Sequence, residues 1–275
     1  MIVLKTPQEM RSAIERMDRP LGFVATMGAL HSGHQSLLEA SRAECKSTVA
    51  SVFVNPMQFA PGEDLERYPR EPQSDLRLLE KSGINAVFAP EPEAMFPEKF
   101  STSIDVGYLA TCFEGIIRPG HFRGVATVVV KLCNIVAPNV VFFGQKDAQQ
   151  IAVVRKLVRE LNVGVEVRLV PTVREIDGLA LSSRNRYLTQ SERRAAPSLY
   201  AALQEVYSKL LAGRSRAEAL GAGKEVLHPM ARLDYMELVD AETFERLEFL
   251  RPPAFIIGAA AFGTTRLIDN IWVAA

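Results

Sequence analysis

The sequence predicts an α/β fold: a doubly wound, parallel-sheet (Rossmann-like) domain over residues 1–175 and a smaller α+β domain over 176–275. Three observations carry this. Short apolar runs alternate with segments whose apolar residues recur at helical spacing. The runs are continuous rather than alternating, as in strands buried on both faces of a parallel sheet. After Pro171 the rhythm changes to a long helical stretch followed by strand-like runs.

LGFVAT (21–26) reads as a buried strand and HQSLLEASRAE (34–44) as the helix after it. TVASVFVN (48–55) is a second strand, and residues 73–82 are helical with Leu76 and Leu79 inward. NAVFAP (85–90) is a third strand. GVATVVVKLCNIV (124–136) is a buried helix despite its valines, because Pro138 stops it and NVVFFG (139–144) starts a new strand. Residues 147–162 form an amphipathic helix and VEVRLV (165–170) another strand. Residues 189–230 read as helical, and LDYMELVD, AFIIGAAAF and TTRLIDNIWV as the strands of the second domain. PMQFAPGEDLERYPREP (56–72), rich in charge, Pro and Gly, reads as an exposed, mobile loop.

Composition narrows the function. Lys+Arg and Asp+Glu balance at 32 each, so no global basic field attracts nucleic acid. Cys45, Cys112 and Cys133 are widely spaced without a C-x-x-C pair, and Cys133 reads as a small core residue. There is no signal-like start and no apolar stretch long enough to span a bilayer, so a cytoplasmic protein without membrane partners is expected.

The familiar phosphate motifs are missing. No G-x-G-x-x-G follows a strand, and GAGKE (221–225) lacks the first P-loop glycine and lies in a helical context. Instead TMGALHSGH (26–34) joins a strand to a helix, where ligands of open parallel sheets bind and a helix N-terminus offers N–H groups to phosphate. Gly28 and Gly33 allow close backbone approach, while His31 and His34 supply donors. The alternative is a tight turn with incidental imidazoles. FGQKDAQQ (143–150) places Gly144 at a strand end, Lys146 as a phosphate-seeking cation and Asp147 as a cap, with Gln149 and Gln150 in the next turn. REIDGLALSSRNRYL (174–188) places Ser182, Ser183, Arg184 and Arg186 at the apparent domain junction, suited to a pyrophosphate clamp or to a Ser-rich linker. Asn55 and Gln58 after the second strand, and His121 and Arg123 before the buried helix, stand equally as caps or as crevice residues. His228, before Pro229, reads as a surface histidine.

TMGALHSGH, SVFVNPMQF, RPGHFRGVATVVVKL, FGQKDAQQ and REIDGLALSSRNRYL, in that order, resemble the pantoate–β-alanine ligases (pantothenate synthetases), a family of the HIGH-type nucleotidylyltransferase superfamily. The resemblance implies a two-step ligation. Pantoate would attack the α-phosphorus of ATP to form pantoyl adenylate and pyrophosphate; β-alanine would then displace AMP to give pantothenate. It places ATP on Met27, Gly28, Ala29, Leu30, His31, Ser32, Gly33 and His34, with His34 as proton donor and His31 beside it. It adds Gly144, Gln145, Lys146 and Asp147 around the ribose and phosphates, Val173 at adenine, and Leu181, Ser182, Ser183 and Arg184 closing over the phosphates. Gln58 and Gln150 would hold pantoate, with Gln58 also near β-alanine. Mg²⁺ would come on ATP oxygens without dedicated protein ligands. The 56–72 loop would be the active-site cover, and the chain a homodimer formed through its N-terminal domain. Leu181 stands where many members have methionine, and Ala148 where many have an aromatic residue. A related nucleotidylyltransferase acting on another small substrate is the alternative; its phosphorylated substrate would call for more basic residues than the neutral Gln58 and Gln150.

Overall fold

The computed structural model describes residues 1–60, 62–63 and 65–274. Pro61 and Asp64, in the loop expected over 56–72, and Ala275, closing the expected second domain, lie outside the described residues. The chain divides into two compact units, Met1–Gly144 with Val153–Val170, and Gln145–Ala152 with Pro171–Ala275.

The first unit is built from β1 (Ile2–Leu4), α1 (Pro7–Ile14), β2 (Leu21–Thr26), α2 (Ser32–Glu44), β3 (Ser47–Val52), α3 (Pro72–Lys81) and β4 (Ala86–Phe88). The short helices α4 (Pro92–Met95) and α5 (Glu114–Ile117), the long α6 (His121–Val136) and β5 (Val140–Gly144) follow; α7 (Ala148–Glu160), which belongs to the first unit from Val153 onward, then leads to β6 (Glu166–Val170). Among the described residues, six strands pair in parallel in the order β1-β4-β3-β2-β5-β6. The order reverses between β2 and β5, the switch point at which such sheets bind ligands beyond their strand ends. Both faces are covered, which is why the strands lack alternation. Val24, Ala50 and Val87 pack with Leu38 of α2 and Leu79 of α3, while the alternate residues Phe23 and Val49 are buried as well.

β1, a three-residue edge strand with exposed Ile2 and Val3, is too short to show a period, and α1 is announced only at its start, where Thr6 and Glu9 form a capping box around Pro7. α2 starts at Ser32, two residues before the expected position, and α6 at His121, three before. Gly and His at these starts hide the helical period that the later apolar residues show. The 56–72 segment is less exposed than its charge suggests. Residues 56–58 form a 3₁₀ turn with Gln58 buried, and Tyr68 is buried with its ring 5.9 Å from that of Phe59.

In the second unit, α8 (Gln190–Ala195), α9 (Ser198–Leu211) and α10 (Arg216–Val226) precede β7 (Ala231–Asp240), β8 (Ala254–Phe262) and β9 (Thr265–Val273). Among the described residues these strands form an antiparallel sheet, β7-β8-β9, the α+β arrangement expected. Ala202, Leu203 and Val206 of α9 pack on Met236, Leu238 and Ile256 of the sheet. The central strand β8 is buried along its whole length, so it shows no period of two.

All three cysteines are buried and unbridged, and burial pushes the Cys133 thiol up to about 12. His228 is exposed. Among the described residues no helix is long and apolar enough to cross a membrane.

Candidate active site

The first unit holds the TMGALHSGH loop in a defined backbone shape. The Thr26 hydroxyl donates to the Ser51 carbonyl at 2.6 Å and accepts the Gly28 N–H at 3.3 Å. Gly28 lies at φ +84°, and a Cβ there would stand 3.0 Å from Asp75 Oδ2 and 3.3 Å from Val52 Cγ1. Ala29 also has positive φ, +49°. The buried Asp75 carboxylate, from α3, accepts the N–H groups of Ala29 at 3.0 Å and Leu30 at 2.8 Å.

His31 caps α2. Its Nδ1 accepts the Gly33 N–H at 3.1 Å, and His34 Nδ1 accepts the His31 N–H at 3.3 Å, with the ring centroids 4.1 Å apart. A neutral imidazole whose Nδ1 accepts must carry its proton on Nε2. The expected role of the loop's backbone changes accordingly. The N–H groups of Ala29, Leu30, His31, Gly33 and His34 are all bonded within the unit, the last to the His31 carbonyl at 2.8 Å.

A second cluster surrounds Gln58. Buried Asn55 accepts the Met57 N–H at 3.2 Å and donates through Nδ2 to Gln58 Oε1 at 3.0 Å and the Gly124 carbonyl at 3.1 Å. Gln58 Nε2 donates to Met27 Sδ at 3.0 Å, which brings two of the expected site residues together. α6 can come this close only because residue 124 lacks a side chain: a Cβ there would collide with the Met57 carbonyl. His121 Nδ1 donates to the Gln58 carbonyl at 2.9 Å, and its Nε2 accepts from Arg118 Nη1 at 3.2 Å. Burial and then the Arg118 charge lower the His121 pKa to about 4, so the ring is neutral near pH 7. Arg118 also donates to Glu63 at 2.7 and 3.0 Å. Arg123 turns elsewhere, pairing with Asp105 at 3.1 Å on an exposed surface.

In the second unit, the Gln145–Lys146 turn is gripped from β9. Asn270 Nδ2 donates to the Gln145 carbonyl at 2.9 Å and to the Lys146 carbonyl at 2.8 Å. The Lys146 ammonium lies 3.7 Å from Asp147 Oδ1; Gln149 is buried and Gln150 partly exposed. Residues 173–181 form a short hairpin rather than a linker. Leu181 N–H donates to the Val173 carbonyl at 3.0 Å, and Arg174 bridges Ala180. Arg174 reaches Asp269 bidentately at 2.6 and 2.8 Å, its guanidinium 3.5 Å from the centre of the Tyr200 ring. Ser182 caps the following 3₁₀ turn (Ser183–Tyr187), its Oγ accepting the Arg184 N–H at 3.3 Å. Lys146 and Ser182 line one small cavity with Leu179, Tyr200 and Asp269.

Nothing in the local sequence marks Asp75, Arg118 or Asn270 as part of a site. Each acts on backbone far from it in sequence, and no local spacing betrays such a partner.

The family model described as pantoate-beta-alanine ligase matches residues 2–272. A curated pantothenate synthetase of Acidobacterium capsulatum is 50% identical over 256 residues, covering 92% of this chain and 86% of the relative. A crystal structure of pantothenate synthetase from Thermus thermophilus superposes with a TM-score of 0.95 at 49% identity, over 100% of both chains. That of the Francisella tularensis ligase, complexed with beta-gamma ATP and beta-alanine, gives 0.82 at 32% identity, over 99% of this chain and 97% of that one. With its sheet order, its paired histidines and these likenesses, the chain belongs to the pantoate–β-alanine ligase family.

Proposed function

We propose a division of labour, residue by residue, for the reaction this chain catalyses: the ATP-dependent condensation of (R)-pantoate with β-alanine to pantothenate through a pantoyl adenylate. A carboxylate is a poor acyl donor until one of its oxygens becomes part of a good leaving group. ATP supplies that group, and the protein's work is alignment and stabilisation of phosphate charge.

In the first unit, residues Met27 to His34 address ATP. His34 donates to the phosphate oxygens as pyrophosphate leaves, and His31 lies beside it. Gly144 ends its strand without a Cβ that would crowd the ribose. Gln58 hydrogen-bonds pantoate and lies near the β-alanine amine. In the second unit, Lys146 carries positive charge to the phosphates, with Gln145 and Asp147 beside it. Val173 and Leu181 act through backbone, Ser182, Ser183 and Arg184 act on the phosphates, and Gln150 holds pantoate. The reading also has the chain working as a homodimer in the cytoplasm, with its two domains parted near residue 175.

Mg²⁺ neutralises phosphate charge when bound. Among the described residues no group of three or more His, Cys, Asp or Glu side chains is arranged to hold a metal.

The observation that carries the reading is the pair of Nδ1 acceptor bonds, which set two neutral Nε2–H donors side by side at the end of β2. A phosphorylated acceptor substrate is disfavoured at Gln58, because Arg118, the cation touching its carbonyl, is already paired with Glu63. The test is ATP–pyrophosphate exchange. Exchange that requires pantoate and proceeds without β-alanine is expected; exchange supported instead by a mononucleotide or a phosphopantetheine overturns the substrate assignment.

A further inference from the structure

Asp75 is a buried charged side chain that reaches into the proposed nucleotide loop without belonging to it. It lies in the first turn of α3 and is 3% exposed. A carboxylate is costly to bury unless its oxygens are satisfied. Here Oδ2 takes the Ala29 N–H at 3.0 Å and Oδ1 the Leu30 N–H at 2.8 Å, two consecutive amides.

The loop needs such a hold. Gly28 at φ +84° and Ala29 at φ +49° lie in the left-handed region, which a residue with a Cβ seldom enters unless its surroundings impose it. Leu30 is followed directly by His31, whose N–H must point at His34 Nδ1 and whose own ring must cap α2. The direction of the chain at residues 29 and 30 therefore decides whether both Nδ1 atoms are acceptors, and so which nitrogen of each ring bears the proton. Hydrogen bonds to an ionised acceptor are shorter and stronger than neutral ones. Asparagine offers one accepting oxygen, and its NH₂ group would oppose the second amide.

We infer that Asp75 is a positioning residue for the adenylation step: its carboxylate fixes the backbone at Ala29 and Leu30 so that His31 and His34 carry their protons on Nε2. The inference rests on the reading that these histidines act on ATP.

The test uses Asp75→Asn in the full chain, with thermal unfolding to establish that it folds. Long-range ¹⁵N–¹H correlation spectra of the histidine rings are expected to show Nε2-protonated His31 and His34 in the parent and a loss of that single tautomer in the variant. Pantoate-dependent ATP–pyrophosphate exchange should fall in kcat by about 10²-fold, the scale of a misplaced catalytic group, with KM for pantoate little changed. Parent-like tautomers together with parent-like kcat overturn the inference. Should Asp75→Asn fail to fold, Asp75→Glu decides, since it keeps the charge but its longer side chain moves both oxygens off the Ala29 and Leu30 amides; the same tautomer change supports the inference and parent-like spectra overturn it. His34→Ala reports on the underlying reading separately. Normal exchange there removes the catalytic assignment, whereas a dead His34→Ala beside a parent-like Asp75→Asn removes only the role given to Asp75.

Discussion

His31 and His34 cap the same helix end reciprocally: His31 Nδ1 accepts the Gly33 N–H at 3.1 Å, and His34 Nδ1 accepts the His31 N–H at 3.3 Å. The arrangement has the form of a capping box with imidazoles in place of a hydroxyl and a carboxylate. A capping carboxylate would place negative charge where the proposed reading puts the ATP phosphates. Two neutral rings satisfy the same orphan amides and still supply N–H donors.

His34→Ala and Lys146→Ala should each lower pantoate-dependent ATP–pyrophosphate exchange by about 10²–10³-fold, the usual cost of one lost transition-state donor. Steady-state exchange on the folded variants measures it. A rate near the parent's in either variant removes the role given to that residue.

His121 makes stability depend on pH. Burial and then the Arg118 charge take its folded pKa to about 4, against an ordinary 6.5, although Glu63 and Glu114 pull the other way. Between these values the unfolded chain binds a proton that the folded chain refuses. Stability is therefore lost as pH falls from 6.5 toward 4, by up to about 3 kcal/mol, and is unaffected above that window. His121→Asn keeps a donor at the Nδ1 position and does not titrate. Urea unfolding at pH 7 and 4.5 should show a smaller acid loss in the variant; an equal loss would assign the sensitivity to other groups.

Asn270→Ala leaves the Gln145 and Lys146 carbonyls without their buried donor. A stability loss of about 1–3 kcal/mol is expected in urea unfolding. Because this turn carries Lys146, KM for ATP should rise as well. A stability loss with unchanged ATP kinetics would confine Asn270 to a structural role.

Gly124→Ala sets two effects against each other. Helix propensity alone favours alanine by about 1 kcal/mol. The added Cβ collides with the Met57 carbonyl, backbone that cannot swing away. Overpacking of this kind costs about 1–3 kcal/mol, so the variant should be less stable and should shift residues 56–58. A higher KM for pantoate, read in the exchange assay, would follow from displacement of Gln58. A variant more stable than its parent would show that the contact yields.

Much of the fold is local information. Apolar runs such as LGFVAT and NVVFFG are strands because continuous burial removes alternation, and Pro138 separates α6 from β5. The motifs proposed to act on ATP are also visible locally, since His31, His34, Lys146 and the Ser182–Ser183–Arg184 run stand at element ends where a folded core has little use for them. β1 was not legible, because a three-residue edge strand imposes no pattern, whereas the start of α1 is written in its Thr6–Glu9 capping box.

The sequence by itself determined the parallel sheet, the α+β character of the second unit and the family. Tertiary structure decided how those residues are held. Whether an imidazole bears its proton on Nε2, whether Gln58 has its oxygen engaged, and whether the Lys146 turn is fixed depend on Asp75, Asn55 and Asn270. Asp75 lies 45 residues beyond Leu30 and Asn270 lies 124 beyond Lys146. A hydrogen bond is specified by the distance and direction between two groups in space, and across such separations only the folded chain sets either.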